Sequence, residues 1–319
     1  MPKDTINYNE VIKKYPWIIK KNQNCILSPD SDGLLCGLFM SHYLDWHIRG
    51  FYDGKILLIE KKFHPQDCVF IDMEIFRNTI KSVGQHMVMY NKNELPDNWD
   101  NFKNCVSANN LRNYDVTHDF QKKYPFGTIH LLLGIVGQEV KIAIPKSAIC
   151  PLLYTDGTFK NLFNYPDNCL SWLSFLKAGE SNALKNIFFN DHYSISTLMV
   201  ALKDFFDELR TIGGGKRGGD KIKISDSSGN HVNLSETGEL KPEILAQAET
   251  LLKLLQNKTS WAYNVKNWHW DNFQVYKFQK GSIKPGKARY NDLLKNSPIS
   301  LAVISALSIE YTLDRGKVF

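Results

Sequence analysis

Residues 24–46 read NCILSPDSDGLLCGLFMSHYLDW. The apolar run at 24–28 has the length and composition of a buried strand, and residues 34–46 repeat apolar side chains at helical spacing. Between them lies SPDSDG, a turn too short for anything but a strand passing directly into a helix. Gly33 lets the backbone bend tightly there. In an open α/β sheet, ligands collect beyond the carboxyl ends of the strands. The turn therefore predicts Asp30 and Asp32 at the place where such a fold keeps its chemistry.

The same grammar continues outward. KILLI at 55–59 and CVFI at 68–71 read as further strands, and residues 75–83 as a helix or turn. GTIHLLLGIV at 127–136 and AICPLL at 148–153 read as buried helices, and 169–210 as helical. Strands alternating with helices predict an α/β fold with a parallel sheet. Beyond GGGKRGGD at 213–220, residues 221–235 suggest a hairpin. PEILAQAETLLKLLQ at 242–256 is an amphipathic helix with proline near its start, and aromatic strand-like runs follow.

Three acidic positions each close an apolar run: the Asp30–Asp32 turn, Asp72 after CVFI, and Asp156 in LLYTDGTF. Each has an ordinary explanation, as a helix cap or an Asp-Gly turn. Their order suggests a second one. Carboxylates from separate strand ends, joined by His86, form a hard ligand set that suits Mg²⁺ or Mn²⁺. Paired cations there can activate water for in-line attack on a phosphoryl group. His86 is equally open to being a hydrogen-bonded structural histidine.

These motifs resemble those of the DHH phosphoesterase superfamily, which includes RecJ-type exonucleases, oligoribonucleases and family II inorganic pyrophosphatases. SPDSDGLLCG is similar to its first motif and VFIDME to its second. SVGQHM stands where the signature Asp-His-His is expected, with Gly84 and Gln85 in place of two of its residues. PFGTIHLLLGI and AICPLLYTDGTF resemble the helix before the fourth motif and that motif itself. The resemblance implies a parallel-sheet phosphoesterase domain over residues 1–170, a helical connector over 171–212, and a smaller α+β substrate-binding or accessory domain over 213–319. It implies that Asp30, Asp32, Asp72, His86 and Asp156 hold Mn²⁺ or Mg²⁺ and carry the catalysis. The expected activity is hydrolysis of nucleic acid or nucleotides by a metal-activated water. Two alternatives stay open: a catalytically inactive scaffold that binds nucleic acid or a protein partner, and a small-molecule phosphatase acting on pyrophosphate or a cyclic dinucleotide.

For substrate contact the sequence offers two stretches. Lys216 and Arg217 lie in the glycine-rich run, which reads either as a flexible loop or as an anion cradle. Trp268 and Trp270 lie in an aromatic stretch interleaved with lysines, which suits base stacking. The alternation in WAYNVKNWHW equally fits a half-buried strand. The six cysteines form no CxxC pair and stand mostly in apolar runs, so they read as small core residues and argue against zinc knuckles. A net charge of +6 only weakly favours a polyanionic partner. No stretch approaches the roughly 20 apolar residues of a membrane span, and the polar start is unlike a secretory signal. A cytoplasmic protein with no membrane partner is expected.

Overall fold

The computed structural model describes residues 4–119, 122–180, 182–215, 219–235, 237–305, 307–316 and 318–319. Its frame is a seven-stranded sheet. In chain order the strands are β1 (Asn24–Leu27), β2 (His47–Tyr52), β3 (Ile56–Glu60), β4 (Cys68–Ile71), β5 (Lys81–Gly84), β6 (Cys105–Ser107) and β7 (Phe273–Lys277). Across the sheet they run β6-β5-β4-β1-β2-β3-β7. The pairs among β6, β5, β4, β1 and β2 are parallel, while β3 and β7 add antiparallel at one edge. The chain leaves β1 for β2 on one side and later occupies β4, β5 and β6 on the other. That reversal between β1 and β4 opens a crevice at their carboxyl ends.

The buried faces explain why these runs became strands. β3 and β4 are buried at every position, as expected of strands covered on both faces. One face carries the main core, which includes Leu27, Ile48 and Phe51 and is roofed by the helices Ser31–Leu44, Thr128–Val136 and Pro242–Thr259. The opposite face packs Ile26, Leu57, Ile59 and Phe70 against Phe278 and Ile299 from late in the chain.

A second sheet of three antiparallel strands, β8 (Gln279–Ile283), β9 (Ser300–Ser305) and β10 (Ser308–Leu313), runs in the order β8-β10-β9. With the helix Lys287–Lys295 it shares a core with Phe76, Met87, Val88 and Phe102 of the first half. The Val303 amide donates to the His86 carbonyl at 3.1 Å. The small sheet therefore stands as one wall of the crevice.

Local readings changed in three places. The segment expected as a helix or turn over 75–83 ends in β5, a strand whose last three residues are buried. Residues 221–235 make a turn held by one isolated bridge, Ser225 to His231, with no regular hairpin strands. The aromatic stretch at 261–270 is a 3-10 turn and coil with one bridge, Ile48 to Trp268, so its alternation is not that of a regular strand. All six cysteines are free and buried. No helix among the described residues is long and apolar enough to cross a membrane.

Candidate metal centre

Asp30 ends the turn after β1 and caps the Ser31–Leu44 helix, its Oδ1 accepting from the Gly33 amide at 3.1 Å. The turn leaves no room for a side chain at Gly33, where a Cβ would lie 2.1 Å from the Ser28 carbonyl oxygen. Asp32, one residue into the helix, is completely buried. Its oxygens accept from the amides of Thr128 at 2.5 Å and Ile129 at 3.2 Å. These are free N–H groups at the start of another helix, where a carboxylate is favoured.

Asp72 follows β4 in a left-handed conformation, φ +65°, that turns its side chain off the strand path. Oδ1 accepts the Thr128 hydroxyl at 2.7 Å, while the buried Oδ2 has no hydrogen-bond partner. Asp156 is also left-handed, φ 49°, in a kink before the Thr158–Asn164 helix. The Gln85 amide donates to its Oδ2. His86 lies just beyond β5. Its Nε2 sits 3.4 Å from the Gln85 amide nitrogen and its Nδ1 3.8 Å from Glu74 Oε2. One ligand atom each from Asp72, His86 and Asp156 falls within 4.8 Å of the other two.

The electrostatics follow from this crowding. Burial, then repulsion from Asp30, pushes the Asp32 carboxyl up to about 6, against the pull of the two amides it accepts. Burial, then Asp32, Asp30 and Asp156, raises Asp72 well above the carboxylate range. Asp156 is raised by crowding of protein around it and by Asp32 and Asp30, although the residue stays open to the cleft. Burial pushes Glu74 up to about 7. Crowding by surrounding protein, then Lys123 and Lys280, drives His86 down to about 3, although its side chain is partly open to the cleft, so its imidazole is neutral at pH 7 and keeps a lone pair for a cation. Two unit charges 4 Å apart repel by about 4 kcal/mol at an effective dielectric of 20. A divalent cation would reverse the sign of that interaction.

The donor set fits such an ion. It has hard oxygens, one neutral nitrogen and an unpartnered carboxylate oxygen in a pocket too crowded for its own charges. Asp72, His86 and Asp156 are placed to hold it, and Asp30 stands at the rim. Asp32 lies outside that group of ligand atoms; its oxygens accept the Thr128 and Ile129 amides, and its charge bears on Asp72 and Asp156 from beneath. Glu74 and Thr128, which fasten the His86 loop and Asp72, were not among the expected residues.

The expected substrate contacts fare differently. Lys216 and Arg217 lie outside the described residues. Trp268 and Trp270 are corrected from base-stacking residues to core residues: they are 4% and 8% exposed and stack on one another, with centroids 5.7 Å apart. Trp270 packs also on Phe51, leaving no ring face for a base. The cations that do line the crevice are Lys123, Lys221, Lys223 and Lys280, around a cavity of about 900 Å³.

Comparisons of the chain with family models, with curated proteins and with solved structures give no match.

Proposed function

We propose that this protein is a divalent-metal-dependent phosphoester hydrolase acting on nucleic acid or nucleotides, in the manner of the DHH phosphoesterases its motifs resemble. One observation carries the reading. Carboxylates distant in sequence, Asp72 and Asp156, meet His86 at a strand-order reversal, and the inner oxygen of Asp72 is left without a partner. A bound Mn²⁺ or Mg²⁺ supplies a water acidified to neutral pH and neutralises phosphoryl charge. The residues do the rest. Asp72, Asp156 and His86 bind the ion, Asp32 and Thr128 fix Asp72, and the lysines of the cavity draw in and orient an anionic substrate. Hydrolysis breaks one P–O bond and adds water across it, so no covalent nucleophile is required.

The test is cleavage of a single-stranded oligonucleotide. Mn²⁺ should support it, chelation should stop it, and Asp72→Asn should remove at least 100-fold of the rate while the protein stays folded. Full activity in Asp72→Asn ends the proposal. One observation favours a second reading, a catalytically silent scaffold. The Gln85 amide already occupies one of the two Asp156 carboxylate oxygens. That reading expects oligonucleotide binding without turnover in any metal.

A further inference from the structure

The ridge formed by Asp30 and Asp156 borders two cavities. The crevice described above lies toward the small sheet. On the other side is a second hollow of about 760 Å³, which shares Asp30, Asp156 and Lys221 with the first. It lies among the Thr158–Asn164 helix, the Ile195–Ile212 helix and residues 219–221. Its wall is aromatic: Phe206 stands 5.4 Å from Tyr154 and 5.5 Å from Phe159, centroid to centroid. Its rim is cationic, with Lys160, Arg210 and Lys221 all exposed. Arg210 pairs on the surface with Asp207 at 2.9 Å, an interaction weak enough to yield to a ligand. The Tyr154 hydroxyl donates to Asp220 at 2.9 Å, which holds the 219–221 segment against the ring wall.

Rings beside cations, opening onto carboxylates that can hold a metal, make a pocket for a flat heteroaromatic group joined to a phosphate. An inorganic pyrophosphate has nothing to place there. A phosphodiester with its phosphorus over the ridge extends a nucleoside to each side. We propose that this second hollow is a nucleobase subsite, so that the substrate straddles the ridge with one base against Phe206. The proposal rests on the hydrolase reading for its purpose, but its binding consequence stands alone.

The test compares adenosine 5′-monophosphate with ribose 5-phosphate, which has the same sugar phosphate and lacks the base. Binding to the full chain is measured calorimetrically with Mn²⁺ present. The wild-type protein should bind the nucleotide about tenfold more tightly, as stacking on one ring allows. Phe206→Ala should abolish the difference, and Phe206→Leu, which keeps apolar volume without a ring, should do the same even if the alanine variant fails to fold. Equal binding of the two ligands by the wild type, or a preference that survives Phe206→Leu, overturns the subsite. Absence of turnover with the preference intact would instead remove the hydrolase reading and leave the subsite standing.

Discussion

Asp72 shows how a single residue can make a fold depend on its medium. It is 3% exposed and one of its oxygens has no partner, so its charge is stabilised neither by water nor by a full set of donors. Without a cation the folded state therefore favours the protonated carboxyl. The sign of the pH dependence follows from linkage. His86 and His130 are pushed down to about 3 and about 4, so they add stability as pH rises through the unfolded value near 6.5, and above about pH 7.5 both are neutral in folded and unfolded chains and contribute no slope. Glu74, pushed up to about 7, and Asp72, raised well above the ordinary carboxylate range, keep protons that the unfolded chain has released. Their share of stability is present at low pH and is lost as pH climbs through the folded values. Asp156 adds less because it is open to the cleft. The metal-free protein should lose melting temperature between about pH 7.5 and 9, where the histidines no longer contribute, Mn²⁺ should reduce the loss, and Asp72→Asn should lessen it. A flat wild-type profile in chelator would show that the carboxylates are not crowded as described. At this scale the sequence marked Asp30, Asp32, Asp72, His86 and Asp156, each at the end of an apolar run or in a motif, and the structure brings Asp72, His86 and Asp156 within reach of one another. It hid Glu74 and Thr128. Glu74 follows Asp72 by two residues, the spacing that puts both on one side of an extended chain. Nothing local says that a helix start 96 residues away would receive Asp32.

At the scale of elements, apolar runs that are buried on both faces were readable and mixed ones were not. β1, β3 and β4 consist of such runs, whereas β2 carries His47 and Arg49, and β6 has only three residues. Arg49 is tied to Asn24 on β1 at 2.8 Å and to Glu60 on β3 at 3.0 Å, so it is a cross-strand link whose polarity masks the strand in the sequence. The aromatic stretch misleads in the opposite way. Its alternation suits a half-buried strand and does put Trp268 and Trp270 into the core, but from a 3-10 turn and coil, where the Trp270 indole donates to the Tyr263 hydroxyl at 3.0 Å. Trp270→Ala should therefore cost about 3–5 kcal/mol in urea unfolding, as expected for a core indole. Trp270→Phe, which keeps a ring against Phe51, should keep most of that stability and leave oligonucleotide affinity unchanged. A loss of affinity in a fully stable Trp270→Phe protein would return this residue to the substrate surface.

For the molecule as a whole, the decisive join is between the carboxylate–histidine cluster and the small sheet, because the crevice exists only where the two meet. Composition and motif order suggest a division of the chain near residues 170 and 213. They could not show that β7 closes the main sheet or that Phe76 and Met87 share a core with Leu301 and Val303, because both depend on contacts about 200 residues apart. Val303 fastens the wall from both of its backbone groups. Its amide donates to the His86 carbonyl, and its carbonyl accepts the Lys123 ammonium at 2.8 Å. Burial lowers Lys123 from the ordinary lysine range, while Glu74 and Asp156 support its charge. Removing that ammonium should then loosen both sides of the join. Lys123→Met keeps the aliphatic stem but leaves the Val303 carbonyl unpaired, a loss of about 1.5–3 kcal/mol for a charge-assisted bond. Hydrogen exchange should accelerate in β9 and in the loop around His86 well before it does in β1, and Mn²⁺ affinity should fall with it. If β9 and β1 exchange as in the wild type and the melting temperature does not move, Lys123 is not what holds the wall of the crevice to its floor.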